Sequence, residues 1–190
     1  PEYTFAPDSR NVAVGPDATG QDFEGAPVTY GISGTVTAGG APLAGVTIDA
    51  GGGHTAVTAG DGAYTIAGLV AGEYTLTASK PEFTFAPSAL VVTVGPDATG
   101  RDFEAAPVTY SVSGTVTASG APLAGVTIDA GNGHTAVTAA DGTYSLAGLV
   151  AGTYTLTPSR AEYGFTPGAR DVVVGPDAAG QDFEASQATY

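Results

Sequence analysis

The chain has no cysteine, no methionine and no tryptophan, and it sets only five basic residues against 19 acidic ones. Without cysteine there is no disulfide framework, no thiolate metal site and no cysteine nucleophile. A formal net charge of -14 excludes a phosphate-backbone partner, because nucleic acid would be repelled. No apolar run approaches the ~20 residues that a membrane-spanning helix needs, so membrane insertion is not expected. The N-terminus lacks the basic start and apolar stretch of a secretion signal. No apolar series at helical spacing lasts beyond one turn. No Asn-x-Ser/Thr acceptor occurs, which removes conventional N-glycosylation. What is present is 29 glycines, 13 prolines and 43% hydrophobic residues, enough to build a core between frequent turns.

The dominant feature is a repeat of 80 residues. Residues 30–109 align without a gap on 110–189, and 56 of the 80 aligned positions are identical. Residues 1–29 match the last 29 of each copy, 81–109 and 161–189, and Tyr190 begins another. The expected organisation is therefore a partial repeat at 1–29, one sandwich at 30–109 and a second at 110–190. Such a frame suits either a window of a longer array or a protomer whose first 29 residues belong in another copy. Only Ala106-Pro107-Val108-Thr109 joins the copies, too short for a floppy tether.

Within a repeat the pattern predicts seven short strands, at 30–37, 44–50, 54–59, 63–67, 73–79, 89–94 and 101–105. Val46 and Ile48 alternate with Thr47 and Asp49, and Tyr74 and Leu76 with Thr75 and Thr77, the period of a half-buried strand. Asp61-Gly62 marks a tight turn. Residues 81–87 read as an irregular crossing carrying Phe83 and Phe85. The sixth strand takes its facing from its copies. Asp171 stands where Val91 and Asn11 stand, so that parity faces water and Val92 and Val94 face the core. In the seventh strand Phe103 points inward between Asp102 and Glu104, which are expected simply to face water. The fold class is all-β: tandem seven-stranded antiparallel β-sandwiches.

Ser-Gly-Thr-Val-Thr, Gly-Ala-Pro-Leu-Ala-Gly-Val-Thr-Ile, the stretch Asp61 to Ile66 and the stretch Gly68 to Leu76 resemble a carboxypeptidase regulatory-like domain. The resemblance implies a prealbumin-like (transthyretin-like) sandwich close to the immunoglobulin type. It also implies a module used as a tandem spacer in bacterial surface and secreted proteins, beside enzymes, or in adhesins. Related pilin domains carry a Lys–Asn isopeptide cross-link. Here the single lysine, Lys80, becomes Arg160 in the next copy and Asn occurs only at Asn11 and Asn132, so no repeat offers the matched pair.

No candidate catalytic constellation emerges. Each copy has one histidine, His54 or His134, with no second His to join it; zinc wants more ligands, and an exposed strand-start residue explains each. A triad of His54, Asp49 and a serine lacks a nucleophile elbow, and a duplicated glycosidase cleft would be unusual. Asp97, Asp102, Asp177 and Asp182 are the calcium candidates, as loop carboxylates near the junctions, but their spacing departs from calcium-loop patterns and fits turn chemistry. Tyr64, Tyr74, Phe85 and Phe103 lie on apolar parity, which favours core packing over a sugar-binding platform. Outward threonines such as Thr47, Thr65, Thr75 and Thr77 are candidate O-glycan carriers, although β-propensity accounts for them.

The expected role is structural and non-catalytic: a bacterial extracellular or cell-surface stalk or pilus-like filament whose partners are copies of itself. The scarcity of lysine suits resistance to trypsin-like proteases. Assembly residues are Arg10, Val12, Val14 and Phe23 in the partial repeat, whose strands at 10–14 and 21–25 are a candidate donor for another copy. Tyr30 and Tyr110, which open each repeat, are candidates for packing between neighbouring domains. The alternative is an adhesin or carbohydrate-binding accessory module, against which the Gly, Ala, Pro and Asp of the turns argue.

Overall fold

A computed structural model describes residues 2–13 and 17–188. It divides into two compact units, Pro1–Ala106 and Pro107–Tyr190. The first opens with β1 (Tyr3–Ala6) and β2 (Glu24–Pro27) and continues with β3 (Tyr30–Ala38), β4 (Ala41–Pro42), β5 (Thr47–Asp49), β6 (Thr55–Val57), β7 (Ala63–Leu69), β8 (Gly72–Ser79), β9 (Phe83–Ala86), β10 (Leu90–Val94) and β11 (Phe103–Pro107). The second repeats the series as β12 (Tyr110–Ala118), β13 (Ala121–Pro122), β14 (Thr127–Asp129), β15 (Thr135–Val137), β16 (Thr143–Leu149), β17 (Gly152–Ser159), β18 (Tyr163–Thr166), β19 (Arg170–Val174) and β20 (Phe183–Gln187). Among the described residues no helix is long and apolar enough to cross a membrane.

Each unit holds the expected all-β sandwich. One sheet runs β10-β8-β5-β6; the other runs β4-β3-β11-β9, with β7 also on β3. Ile32, Val36, Ile48, Leu69, Leu76 and Phe103 fill the space between them. Their equivalents in the second unit are buried likewise. Val92 and Val94 point inward while Val91 and Val173 lie exposed, as the facing of Asp171 requires.

Three expectations change. The crossing at 81–87 contains a true strand: β18, its counterpart in the second unit, pairs with β20 from Tyr163↔Gln187 to Thr166↔Glu184, and β9 neighbours β11 in the same way. Turn residues on both sides masked a four-residue strand. Pairing is not antiparallel throughout. β11 lies parallel to β3, Phe103 opposite Val36 and Ala105 opposite Ala38, and β20 lies so on β12. The chain crosses between sheets before its last strand, so that strand arrives beside the first in the same direction. The count also rises from seven, because residues 41–42 pair briefly with Thr37 and Ala38.

Two glycines hold this arrangement. Gly62 closes the predicted turn at φ 76°, where a side chain would be strained, and its carbonyl accepts from Val36 N at 2.9 Å. Gly34 sits mid-strand because the segment before β11 crosses directly over it: an added Cβ would lie 2.2 Å from the Arg101 carbonyl oxygen. Gly34→Ala should therefore cost roughly 2–3 kcal/mol of stability through forced backbone movement. Urea denaturation that leaves the variant within error of the parent would contradict this packing.

Candidate functional site

Both candidate features involve the last 29 residues of the repeat: within each sandwich these residues close the fold, and the related sequence at 1–29 forms the β1–β2 hairpin.

The closing seam is sewn by carboxylates. Thr35 donates its backbone N–H and its hydroxyl to Asp102 Oδ1 at 2.7 and 2.9 Å. Thr37 Oγ1 donates to Glu104 Oε2, and Gly39 N donates to Oε1 at 2.7 Å. Gly31 N donates to Asp97 Oδ1 at 2.7 Å. The second unit repeats the pattern: Ser111 N to Asp177, Thr115 N and Oγ1 to Asp182 and Thr117 Oγ1 to Glu184. Asp102 and Glu104 thus do not simply face water. They grip the outward threonines of the neighbouring strand, a contact that strand parity alone does not disclose. The hydroxyl of Thr37, with the Gly39 amide, holds the Glu104 carboxyl below its ordinary range. That contribution is present at neutral pH and is lost as pH falls through the lowered value.

The calcium candidates are explained by the same contacts. Asp97 and Asp102, and Asp177 and Asp182, are spent on backbone and hydroxyl donors. Among the described residues no three acidic or histidine side chains gather to hold an ion.

Behind the seam, Tyr64 is buried and donates its hydroxyl to the Arg101 carbonyl at 2.5 Å; Tyr144 does the same to that of Gln181. Burial, reinforced by Asp102 or Asp182 and opposed by a nearby arginine, pushes both phenols up to about 12. The arginine reaches this place from different segments, Arg101 from the stretch before β11 and Arg170 from the start of β19. Repeat one carries Leu90 and Arg101, repeat two Arg170 and Gln181. Each arginine buries an Nε that has no partner, and Arg170 lies 5.8 Å from the Phe183 ring centroid.

The remaining candidates settle individually. His54 and His134 are half-buried, edge-on to Tyr74 and Tyr154 at 6.4 and 6.3 Å, rather than freely exposed. Tyr64 and Phe103 are core residues, and Tyr74 and Phe85 pack partly buried against that core. Tyr30 and Tyr110 each pack on the core of their own sandwich. Tyr30 also donates its hydroxyl to Glu2 at 2.6 Å, which raises its pKa. An open groove recurs in each unit beside Lys80, Phe83 and Phe85, or Arg160, Tyr163 and Phe165. Its cation is occupied internally, on the carbonyl of Ala44 or Ala124. Thr58 and Thr138 were not singled out by sequence reasoning. Each is a buried hydroxyl that accepts from the Val46 or Val126 amide and donates to the Leu43 or Leu123 carbonyl.

Residues 1–29 behave differently from their copies. β1 and β2 pair with each other in the register of β18 and β20, from Tyr3↔Pro27 to Ala6↔Glu24. Their apolar side chains have no cover: Tyr3, Phe5 and Phe23 are 52%, 56% and 50% exposed, whereas Phe103 and Phe183 are 2% exposed. The strand expected at 10–14 is not formed over residues 10–13, and Val14 lies outside the described residues. Its copy β10 is held by β8, and β19 by β17; among the described residues no strand pairs with 10–13. Val12 is exposed, and Arg10 donates to Gly20 O at 2.9 Å with its guanidinium 6.0 Å from the Phe23 ring. The strand expected at 21–25 begins at Glu24 instead, so Phe23 precedes it.

Two self-closing prealbumin-like sandwiches in tandem, with charges spent on seams, define a repeat module. The family model for the carboxypeptidase regulatory-like domain matches residues 31–105 and again 111–185, and the chain belongs to that family. A chitinase of Flavobacterium johnsoniae is 42% identical over 135 residues, which are 67% of this chain and 8% of that protein. The chain thus spans less than a tenth of that relative. The Bacillus anthracis TIE protein superposes with a TM-score of 0.67 at 13% identity, over 87% of this chain and 37% of that one, a likeness of fold. The minor pilin of Streptococcus agalactiae gives a TM-score of 0.38 at 15% identity, over 85% of this chain and 97% of its own, too low to argue from.

Two measurements check the seam. Asp102→Asn should cost about 1–2 kcal/mol of stability, and millimolar calcium should leave the melting temperature unchanged; a calcium-dependent rise would contradict the seam reading. In an alkaline titration followed by tyrosinate absorbance, two of the nine tyrosines should stay neutral until about pH 12. Stability should fall over that interval, since the neutral phenol favours the folded state. Tyr64→Phe with Tyr144→Phe should remove the late phase.

Proposed function

We propose that the chain is a structural, non-catalytic repeat module of a bacterial surface or secreted protein, one that builds a stiff stalk or pilus-like filament from copies of itself. The observation that carries this reading is that two nearly identical sandwiches each close on themselves, with the carboxylates of the last strand spent on the first. Copies are joined either in one covalent array, through junctions as short as Ala106 to Thr109, or through transfer of residues 1–29 to another chain. The -14 charge opposes nonspecific clumping in either case. Outward threonines of the sheets are available to O-glycans without disturbing either core.

A second reading, an accessory module that accompanies a polysaccharide-degrading enzyme, draws on the similarity to part of a chitinase. Retention of the chain on insoluble chitin would favour it over the stalk.

The basic residues also bear on life outside a cell. Arg10 lies in an exposed stretch outside any strand, whereas Arg170 opens β19 and Arg101 is half-buried. Limited trypsin digestion under native conditions should cut after Arg10 and spare the two sandwiches; rapid cutting after Arg101 or Arg170 would contradict this. For the stalk itself, inserting a further copy of residues 110–189 should lengthen the particle's maximum dimension in small-angle scattering by a constant step. An unchanged maximum dimension would overturn the stalk.

A further inference from the structure

We propose that each repeat binds an acidic sugar, a uronate residue, in the groove bounded by β5, the end of β8 and β9, and in its copy by β14, the end of β17 and β18. This goes beyond the assembly of copies and holds for a stalk and for an accessory module alike.

The groove is built twice. In repeat two Thr127, Ser159, Arg160, Tyr163 and Phe165 surround about 540 Å³; in repeat one Thr47, Ser79, Lys80, Phe83 and Phe85 surround about 440 Å³. Both volumes fall in the range of ~300–1,000 Å³ that small ligands occupy. The two copies differ at 24 of their 80 aligned positions, yet the cation, the rings and the hydroxyls of the groove change only within chemical type. Lys80 becomes Arg160 and Phe83 becomes Tyr163, while Phe85, Thr47 and Ser79 recur as Phe165, Thr127 and Ser159. Two of the five basic residues of the chain thus stand at one equivalent position.

That cation is held in place without being exhausted. Lys80 Nζ donates to the Ala44 carbonyl at 2.5 Å, and Arg160 donates to that of Ala124. An ammonium has three N–H donors and a guanidinium five, so each keeps donors for a ligand. Lys80 also lies 5.9 Å from the Phe83 ring centroid and Arg160 5.0 Å from that of Tyr163, which fixes the charge at the groove before a ligand arrives. Among the described residues that line the two grooves there is no carboxylate, in a chain with 19 acidic residues.

These groups select the ligand. Surplus cationic donors are matched by a carboxylate, which a guanidinium can take in a bidentate grip. Tyr163 and Phe165, like Phe83 and Phe85, are half-buried and leave part of each ring to an apolar surface. The hydroxyls of Thr127 and Ser159, or Thr47 and Ser79, suit a ligand with hydroxyls of its own. A uronate joins all three in one residue: a carboxylate, the C–H face of a pyranose ring and ring hydroxyls. A neutral sugar would leave the cation unmatched. The net charge of -14 opposes a long polyanion but not a short one, since charges beyond the Debye length of ~8 Å are screened at physiological ionic strength.

The test titrates trigalacturonate into the full chain at low ionic strength, followed by calorimetry. Maltotriose and an acetylated, amidated tri-glutamate peptide of the same charge serve as controls. The expected result is two sites per chain, with trigalacturonate bound about tenfold or more tighter than either control. Lys80→Gln should remove one site and Arg160→Gln the other. Lys80→Arg and Arg160→Lys, each of which installs the residue of the sister repeat, should keep both. No binding of trigalacturonate, equal binding of either control, or binding that survives Lys80→Gln/Arg160→Gln would overturn the proposal. A measurement on the unmodified chain guards against misfolding of the variants. On addition of trigalacturonate, amide shifts in nuclear magnetic resonance should concentrate at the groove residues Gly45, Ser79, Gly125 and Ser159. Shifts that leave these amides unmoved would equally overturn it.

Discussion

The parallel pairing of the last strand of each repeat with its first is the constraint from which the rest of the structure follows. It brings residues some 67 positions apart in sequence, such as Thr35 and Asp102, into hydrogen-bond contact. It also ties the repeat into one unit, because the sheet β4-β3-β11-β9 is not complete until residue 107 is in place. The bond chemistry suits a protein that lacks cysteine. Cross-linking is replaced by carboxylates that accept from amides and threonine hydroxyls, stronger than neutral hydrogen bonds and indifferent to redox conditions. Six of the 19 acidic residues, three in each repeat, serve in this way.

Much of this was legible in the sequence because it rests on parity and repetition. The facing of β10 and β19 follows from Asp171 standing where Val91 stands, and the inward Phe103 from its acidic neighbours. The turn at Asp61-Gly62 follows from glycine's tolerance of positive φ. What was not legible depends on partners distant in the chain. Strand β9 is four residues long between turn residues, and its identity as a strand comes from β11. The parallel contact between β11 and β3 leaves no local mark. Asp102 and Glu104 look solvent-facing by alternation, and only the neighbouring strand supplies Thr35 and Thr37.

The partial repeat at the N-terminus makes the same point in reverse. Its sequence is that of a closing segment, yet residues 10–13 form no strand, because strand formation in this fold is conferred by the neighbour. The pair β1–β2 persists since its two members supply each other, leaving a hairpin with an apolar face. The arginine beside Tyr64 and Tyr144 shows how loosely sequence position is tied to spatial role. Arg101 and Arg170 occupy non-equivalent positions of the repeat yet both temper the same buried phenol, which a residue-by-residue alignment registers only as two mismatches.

The most direct measurement is thermal unfolding of residues 30–109 alone beside residues 30–100, which lack the closing strand. The account predicts one cooperative transition for the first and none for the second. A cooperative transition of residues 30–100 at a similar temperature would contradict it, since the sandwich would then stand without the strand held here to complete it.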